Sequence, residues 1–272
     1  MKHKTLGPQS ATLLAKLNGE GTNAFTTLDA INMMATSPNT VVKLLSDMTD
    51  RGLIMRLKSG RYYVIPYDQE AESFLPDWHL VGAQLAGDAK YYIGYYSAMQ
   101  LHSLITQPSL SEQIVVDRQL RPSIMEVKGV KFQFIYHNHQ HFFGSKKIWI
   151  NGQDRVLCSD LEKTFIDVLF MPEYGGGITE IAKAIYKTRD KINYTQLLKY
   201  AERFGSKAVF KRLGYLLELL EIDTPIIDSL RQIKVSGYPL LDPSRPKEGR
   251  LISRWNIQEN IDHQSILSPI YT

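Results

Sequence analysis

Cysteine is nearly absent: Cys158 is the sole one in 272 residues. That excludes an internal disulfide and any zinc finger built on paired cysteines. Long apolar runs are also missing. The longest, such as Leu216-Leu217 and Leu219-Leu220, fall far short of the ~20 residues that a spanning helix needs, so no membrane partner is expected. Excess charge is small, +4 from 32 basic and 28 acidic side chains, and 43% of residues are hydrophobic, which excludes disorder as the main state. Met1-Lys2-His3-Lys4 has no apolar stretch of the kind a secretory leader carries, and a cytoplasmic chain is expected. The length admits one large domain or two modest ones.

The charge is unevenly placed. Residues 1–66 hold eight basic and four acidic side chains, so the whole net charge lies in the first quarter and the rest sums to zero. Within that rest, Lys183, Lys187, Arg189, Lys191, Lys199, Arg203, Lys207, Lys211 and Arg212 face two acids, Asp190 and Glu202. Localised basic excess suits a polyanion, because each phosphate neutralised releases counterions. The second stretch is read as a further patch for DNA or RNA, or else as a solvated helical face.

Residues 1–66 read as a winged helix-turn-helix. Ser10–Leu17 spaces its leucines helically and ends at Asn18-Gly19. Thr26-x-x-Asp29 is a capping box for a second helix to about Met34, and Ser37-Pro38 is the N-cap and first-turn proline of a third. Val41, Leu44, Leu45 and Met48 stripe one face of that helix. Arg51-Gly52 ends it, and strand-like runs at 53–57 and 61–65, joined by Lys58-Ser59-Gly60, form a basic hairpin. The DNA-contacting set expected from this arrangement is Ser37, Asn39, Thr40 and Lys43 on the helix, with Arg56, Lys58, Ser59 and Arg61 on the wing. Double-stranded DNA is the expected partner, bound by a monomer or a dimer.

Residues 67–76 are polar, acidic and bracketed by prolines, and read as a linker to an α+β domain over 77–272. That domain is expected to be strand-rich over 91–158, helical over 159–236, and irregular over 237–272. Ser97 is the expected N-cap of a helix to Leu104, and Ser159-x-x-Glu162 a capping box for a helix to Phe170.

Catalytic patterns are weak, and neither an enzyme nor a cofactor is expected. His137, His139 and His141 would share one face if they continued a strand, a possible metal site, although no HExxH or CxxC accompanies them. A metal-dependent nuclease or transferase targeted by the winged helix therefore stands as one alternative, and a winged-helix scaffold for protein contacts as another. Gly175-Gly176-Gly177 lacks the Lys-Ser/Thr of a phosphate loop.

Three strings carry a family resemblance: Tyr91 through His102 (YYIGYYSAMQLH), Ser159 through Asp167 (SDLEKTFID), and Pro172 through Ile178 (PEYGGGI). Together they resemble motifs of AbiEi-type antitoxins of type IV toxin–antitoxin, or abortive-infection, systems. The matching positions are Tyr92, Ser97, His102, Ser159, Glu162, Lys163, Asp167, Glu173 and Gly176. The resemblance implies a repressor that binds inverted repeats in its own promoter. It also implies an antitoxin that counteracts a nucleotidyltransferase-like toxin without needing a stable complex with it, and adds a toxin-related contact to the readings of the basic stretch from Lys183 to Arg212.

Overall fold

The computed structural model describes residues 4–152 and 154–271. They fall into two compact units, one of the residues up to Asp88 with Glu126–Val130, the other of Ala89–Met125 with the residues from Lys131 onward. Helices and strands are mixed, with eleven α-helices among the described residues, and none of these is long and apolar enough to cross a membrane.

The first unit runs α1 (Pro8–Gly19), β1 (Ala24–Thr26), α2 (Thr27–Met33), α3 (Pro38–Asp50), β2 (Ile54–Lys58), β3 (Arg61–Val64) and α4 (Trp78–Ala86). The Thr26 hydroxyl accepts from the Asp29 amide at 3.1 Å while the Asp29 carboxylate accepts from the Thr26 amide at 2.7 Å, so the expected capping box forms. Ser37 caps α3 by accepting from the Thr40 amide at 3.3 Å. β3 pairs with both β1 and β2, all antiparallel. Leu13, Leu17, Phe25, Val41, Leu45 and Met48 are almost fully buried between these elements. Each such side chain contributes about 1.5–3 kcal/mol.

Residues 78–86, expected in the C-terminal domain, form α4, which packs on β1 and β2 and belongs to the first unit. The physical reason lies at its C-terminal end, where it satisfies two cations of the hairpin.

The second unit carries β4 (Tyr91–Ile93), α5 (Tyr95–Leu101), β5 (Ser111–Val116), the start of β6 (Ile124–Val127), β7 (Val130–Tyr136) from Lys131 on, β8 (Ser145–Trp149) and β9 (Arg155–Ser159). Then follow α6 (Leu161–Phe170), a 3-10 turn (Pro172–Gly175), α7 (Gly177–Thr188), α8 (Tyr194–Phe204), α9 (Lys207–Leu219) and α10 (Ile226–Gln232). β10 (Arg250–Ile252), β11 (Ile257–Glu259) and α11 (His263–Tyr271) end the chain. The large sheet has the order β6-β7-β5-β4-β9-β8; β5/β7 and β4/β9 are parallel, β4/β5 and β8/β9 antiparallel. β8 is an edge, exposed over Ser145–Lys147 and at Trp149, and the Arg155 guanidinium lies 3.7 Å from the Trp149 ring centroid.

Three expectations about this unit are corrected. The expected irregular tail is regular from Arg250 onward: residues 250–271 form a hairpin and a helix, because Trp255, Ile257, Ile261 and Ile266 bury into the helical core. Ser97 does not cap α5. Gly94 stands there, and the buried Ser97 hydroxyl accepts from the Gln113 amide at 2.9 Å, tying helix to strand. Asp160, not Ser159, caps α6, accepting from the Lys163 amide at 2.8 Å. Glu162 instead reaches the Asn193 amide at 2.9 Å.

Candidate nucleic-acid interface and a buried polar cluster

The stripe Val41, Leu44, Leu45 and Met48 turns one face of α3 into the core, which leaves Asn39, Thr40, Val42, Lys43 and Ser46 in solvent. Ser37 and Thr40 join hydroxyls at 2.8 Å. Lys43 and Arg56 are exposed and make no hydrogen bond or ion pair with any described residue. Ser59 is exposed at the hairpin tip.

The other expected wing cations are engaged. Lys58 Nζ donates to the Leu85 carbonyl at 2.6 Å, and burial pushes its pKa down. Arg61 donates to Gln84 Oε1 at 3.2 Å and pairs with Asp88 at 3.0 Å. Both cations meet the C-terminal end of α4, where unsatisfied carbonyls carry partial negative charge. Lys4, Lys16 and Arg51 likewise donate to backbone carbonyls of the same unit.

The basic stretch 183–212 is not one patch. Lys211 and Arg212 are buried and donate to helix-end carbonyls: Lys211 to Arg231 O at 2.9 Å, Arg212 to Leu169 O at 2.6 Å. Lys187 donates to Ser103 O at 2.7 Å, Arg189 to Tyr186 O at 2.7 Å, and Arg203 lies 4.1 Å from the Phe143 ring centroid. Lys191, Lys199 and Lys207 are exposed, and Lys183 is half-buried.

Of the nine motif positions, Tyr92, Lys163 and Asp167 converge in a buried cluster that also holds His137 and Tyr95, all five at most 2% exposed. Lys163 and Asp167 lie four residues apart on α6 and form a short ion pair. Lys163 Nζ also donates to Tyr92 Oη at 3.0 Å, and its ammonium lies 5.0 Å and 5.1 Å from the Phe143 and Phe204 ring centroids. Tyr92 donates to Asp167 at 3.0 Å. With that hydrogen committed, His137 Nδ1, 3.2 Å from Tyr92 Oη, is the donor of its contact, and Nε2 accepts from Tyr95 at 2.8 Å. Burial, then the charges of Lys163 and His141, press the His137 pKa down to about 4 against the pull of Asp167. The imidazole is therefore neutral at pH 7.

These groups are almost fully buried, and the arrangement holds α6 against β4, α5 and the end of β7. The i, i+4 spacing of Lys163 and Asp167 on α6 signals their ion pair, but nothing in the sequence signals that Tyr92 and His137 join it.

The remaining motif residues lie apart. His102 Nε2 donates to the Ser159 carbonyl at 2.7 Å, and the Ser159 hydroxyl meets Thr164 at 2.7 Å. Glu173 is exposed, and Gly176 takes φ +80 before α7, where a side chain would be strained.

His137, His139 and His141 share no strand face, because β7 stops at Tyr136. His137 enters the cluster, His139 is exposed, and His141 stacks on Phe204 at 3.8 Å while its Nε2 meets the Phe204 carbonyl at 3.1 Å. No group of three or more potential ligands among the described residues is placed to hold a metal ion. Burial pushes the Cys158 thiol well up, which keeps it unreactive.

No family model matches the sequence. No curated protein matches it either. The structure is similar to the crystal structure of the RV2827C protein from Mycobacterium tuberculosis, with a TM-score of 0.69 over 100% of this chain and 97% of that one, at 13% identity. At that identity the likeness concerns the fold alone.

Proposed function

We propose that the chain is a DNA-binding transcriptional repressor that also serves as the antitoxin of an AbiEi-like type IV system. The observation that carries the DNA part is the outer face of α3, where Asn39, Thr40 and Lys43 stand in solvent beside an N-terminus capped by Ser37. The order α1-β1-α2-α3-β2-β3 with a three-stranded antiparallel sheet supports reading this unit as a winged helix, whose third helix enters the major groove. In this reading Asn39 and Thr40 address base edges, while Lys43 and Arg56 neutralise phosphates. Lys58 and Arg61 brace the hairpin on α4. Two phosphates per copy correspond to a slope of log affinity against log salt of about −2, or about −4 for a dimer on an inverted repeat. The antitoxin part rests on the resemblance of the segments 91–102, 159–167 and 172–178.

The test is a titration of the full-length protein with DNA from its own upstream region across a salt series. Selective binding with such a slope, weakened by Lys43→Ala, supports the reading; equal affinity for unrelated DNA of the same length overturns it. Growth rescue on co-expression with a neighbouring nucleotidyltransferase-like gene tests the antitoxin part. A second reading, a winged helix used for protein contacts, draws on the engagement of Lys4, Lys16, Arg51, Lys58 and Arg61, which leaves Lys43 and Arg56 as the unpaired cations described in residues 4–66. It predicts normal folding and no DNA shift.

A further inference from the structure

The outer face of α3 carries one apolar side chain that the fold does not use. Val42 is 52% exposed, whereas Val41, Leu44, Leu45 and Met48 fill the core side of the helix. A β-branched side chain also loses rotamer freedom in a helix, so neither solvation nor propensity favours valine there. Asn39 precedes it by three residues and Lys43 follows it, both exposed. Side chains at i and i+3 are neighbours on a helix, about 5–6 Å apart at Cβ, so the Asn39 carboxamide and the Val42 methyls present one surface. That carboxamide makes no hydrogen bond with any described residue.

We propose that Val42 is a specificity-determining residue that packs against the 5-methyl group of a thymine. Asn39 holds an adenine beside it, so each half-site carries A·T pairs under this turn of α3. The proposal rests on the reading of α3 as a helix lying in the major groove.

The chemistry of the groove selects this ligand. Thymine is the base that presents a methyl group there, and an aliphatic side chain gains by covering it. The amide of an asparagine matches N6 and N7 of adenine in a bidentate pair. A protein partner fits the face less well. Val42 is the only large hydrophobic side chain exposed on α3, and Asn39, Lys43 and Ser46 surround it, whereas the buried centre of a protein interface is depleted of charge.

The experiment is a binding titration of the full-length protein with two versions of the fragment from its own upstream region, one made with thymine and one with uracil throughout. Uracil keeps every hydrogen-bonding group of thymine and lacks only the methyl. The exchange is expected to weaken the wild type about fourfold per half-site, the worth of one buried methyl, and Val42→Ala by less than about twofold. Any effect of uracil on duplex shape is common to both proteins and cancels in the comparison. Val42→Ala is also expected to weaken binding to the thymine fragment while leaving the salt slope unchanged, since no charge is lost. Val42 faces solvent and alanine is the better helix former, so the variant keeps its fold, as circular dichroism checks. Selective binding with no uracil penalty in the wild type, or with an equal penalty in Val42→Ala, overturns the proposal and leaves the DNA reading standing. If the thymine fragment is bound no better than unrelated DNA, that reading fails and the proposal falls with it.

Discussion

Arg212 closes the C-terminus of α6: its Nη1 donates to the Leu169 carbonyl at 2.6 Å and to the Phe170 carbonyl at 3.1 Å, while Nε donates to Leu240 O at 3.0 Å. The guanidinium is buried, and its pKa is pushed down to about 10 by that burial, so it stays charged at neutral pH. Arg212→Met leaves these buried carbonyls unpaired. Urea unfolding is expected to show a loss of about 3 kcal/mol or more, with little rescue by Arg212→Lys, whose single ammonium cannot span them. DNA affinity per folded molecule stays unchanged.

His137 makes stability depend on acid. Its folded pKa, about 4, lies below the unfolded value near 6.5, so the unfolded chain takes up the proton first. The contribution is complete above about pH 6.5 and fades as pH falls toward 4, by about 3 kcal/mol in all. The groups facing the ring are Asp167, Lys163, Tyr92, Tyr95 and His141. Urea midpoints at pH 7 and pH 4.5 measure the fall, and His137→Gln, although less stable at pH 7, flattens it. An unflattened profile assigns the acid sensitivity elsewhere.

Gly214 lies in α9 against a ring of the core. A Cβ there would fall 2.0 Å from Trp255 Cζ3, and Trp255 is 1% exposed, with nowhere to move. Gly214→Ala gains about 1 kcal/mol of helix propensity, and overpacking outweighs it. A net loss of about 1–3 kcal/mol is expected in thermal unfolding, with quenched or shifted tryptophan fluorescence.

The hairpin cations separate by role. On the proposed DNA-binding reading, Arg56→Ala lowers DNA affinity and reduces the salt slope by about 1 without moving the melting temperature. Arg61→Ala and Lys58→Ala are expected to cost about 0.5–1 kcal/mol of stability each, because they release the end of α4. If Arg61→Ala impairs DNA binding at full stability, the bracing role assigned to it fails.

The first unit was legible because its signals are local. Thr26 with Asp29, and Ser37 with Pro38, cap their helices as spacing predicts, and apolar stripes on single helices mark the core. The Lys163–Asp167–Tyr92–His137 cluster was not, since it joins residues up to 75 positions apart that share no periodicity. Charge counting failed at Lys211 and Arg212 for a related reason: a sum over sequence cannot tell a cation facing solvent from one that ends a helix. The tail escaped notice because its strands are three residues long and Pro269 lies inside α11.

β8 ends the large sheet with backbone groups that a foreign strand could pair. Lys146 and Lys147 follow one another along it, both exposed and on opposite faces, and Arg155 shields the large aromatic surface there, Trp149. A second copy approaching edge to edge would bring four lysines together before any backbone hydrogen bond formed. Like charge and a covered ring thereby make this edge a poor template for the same edge of another copy.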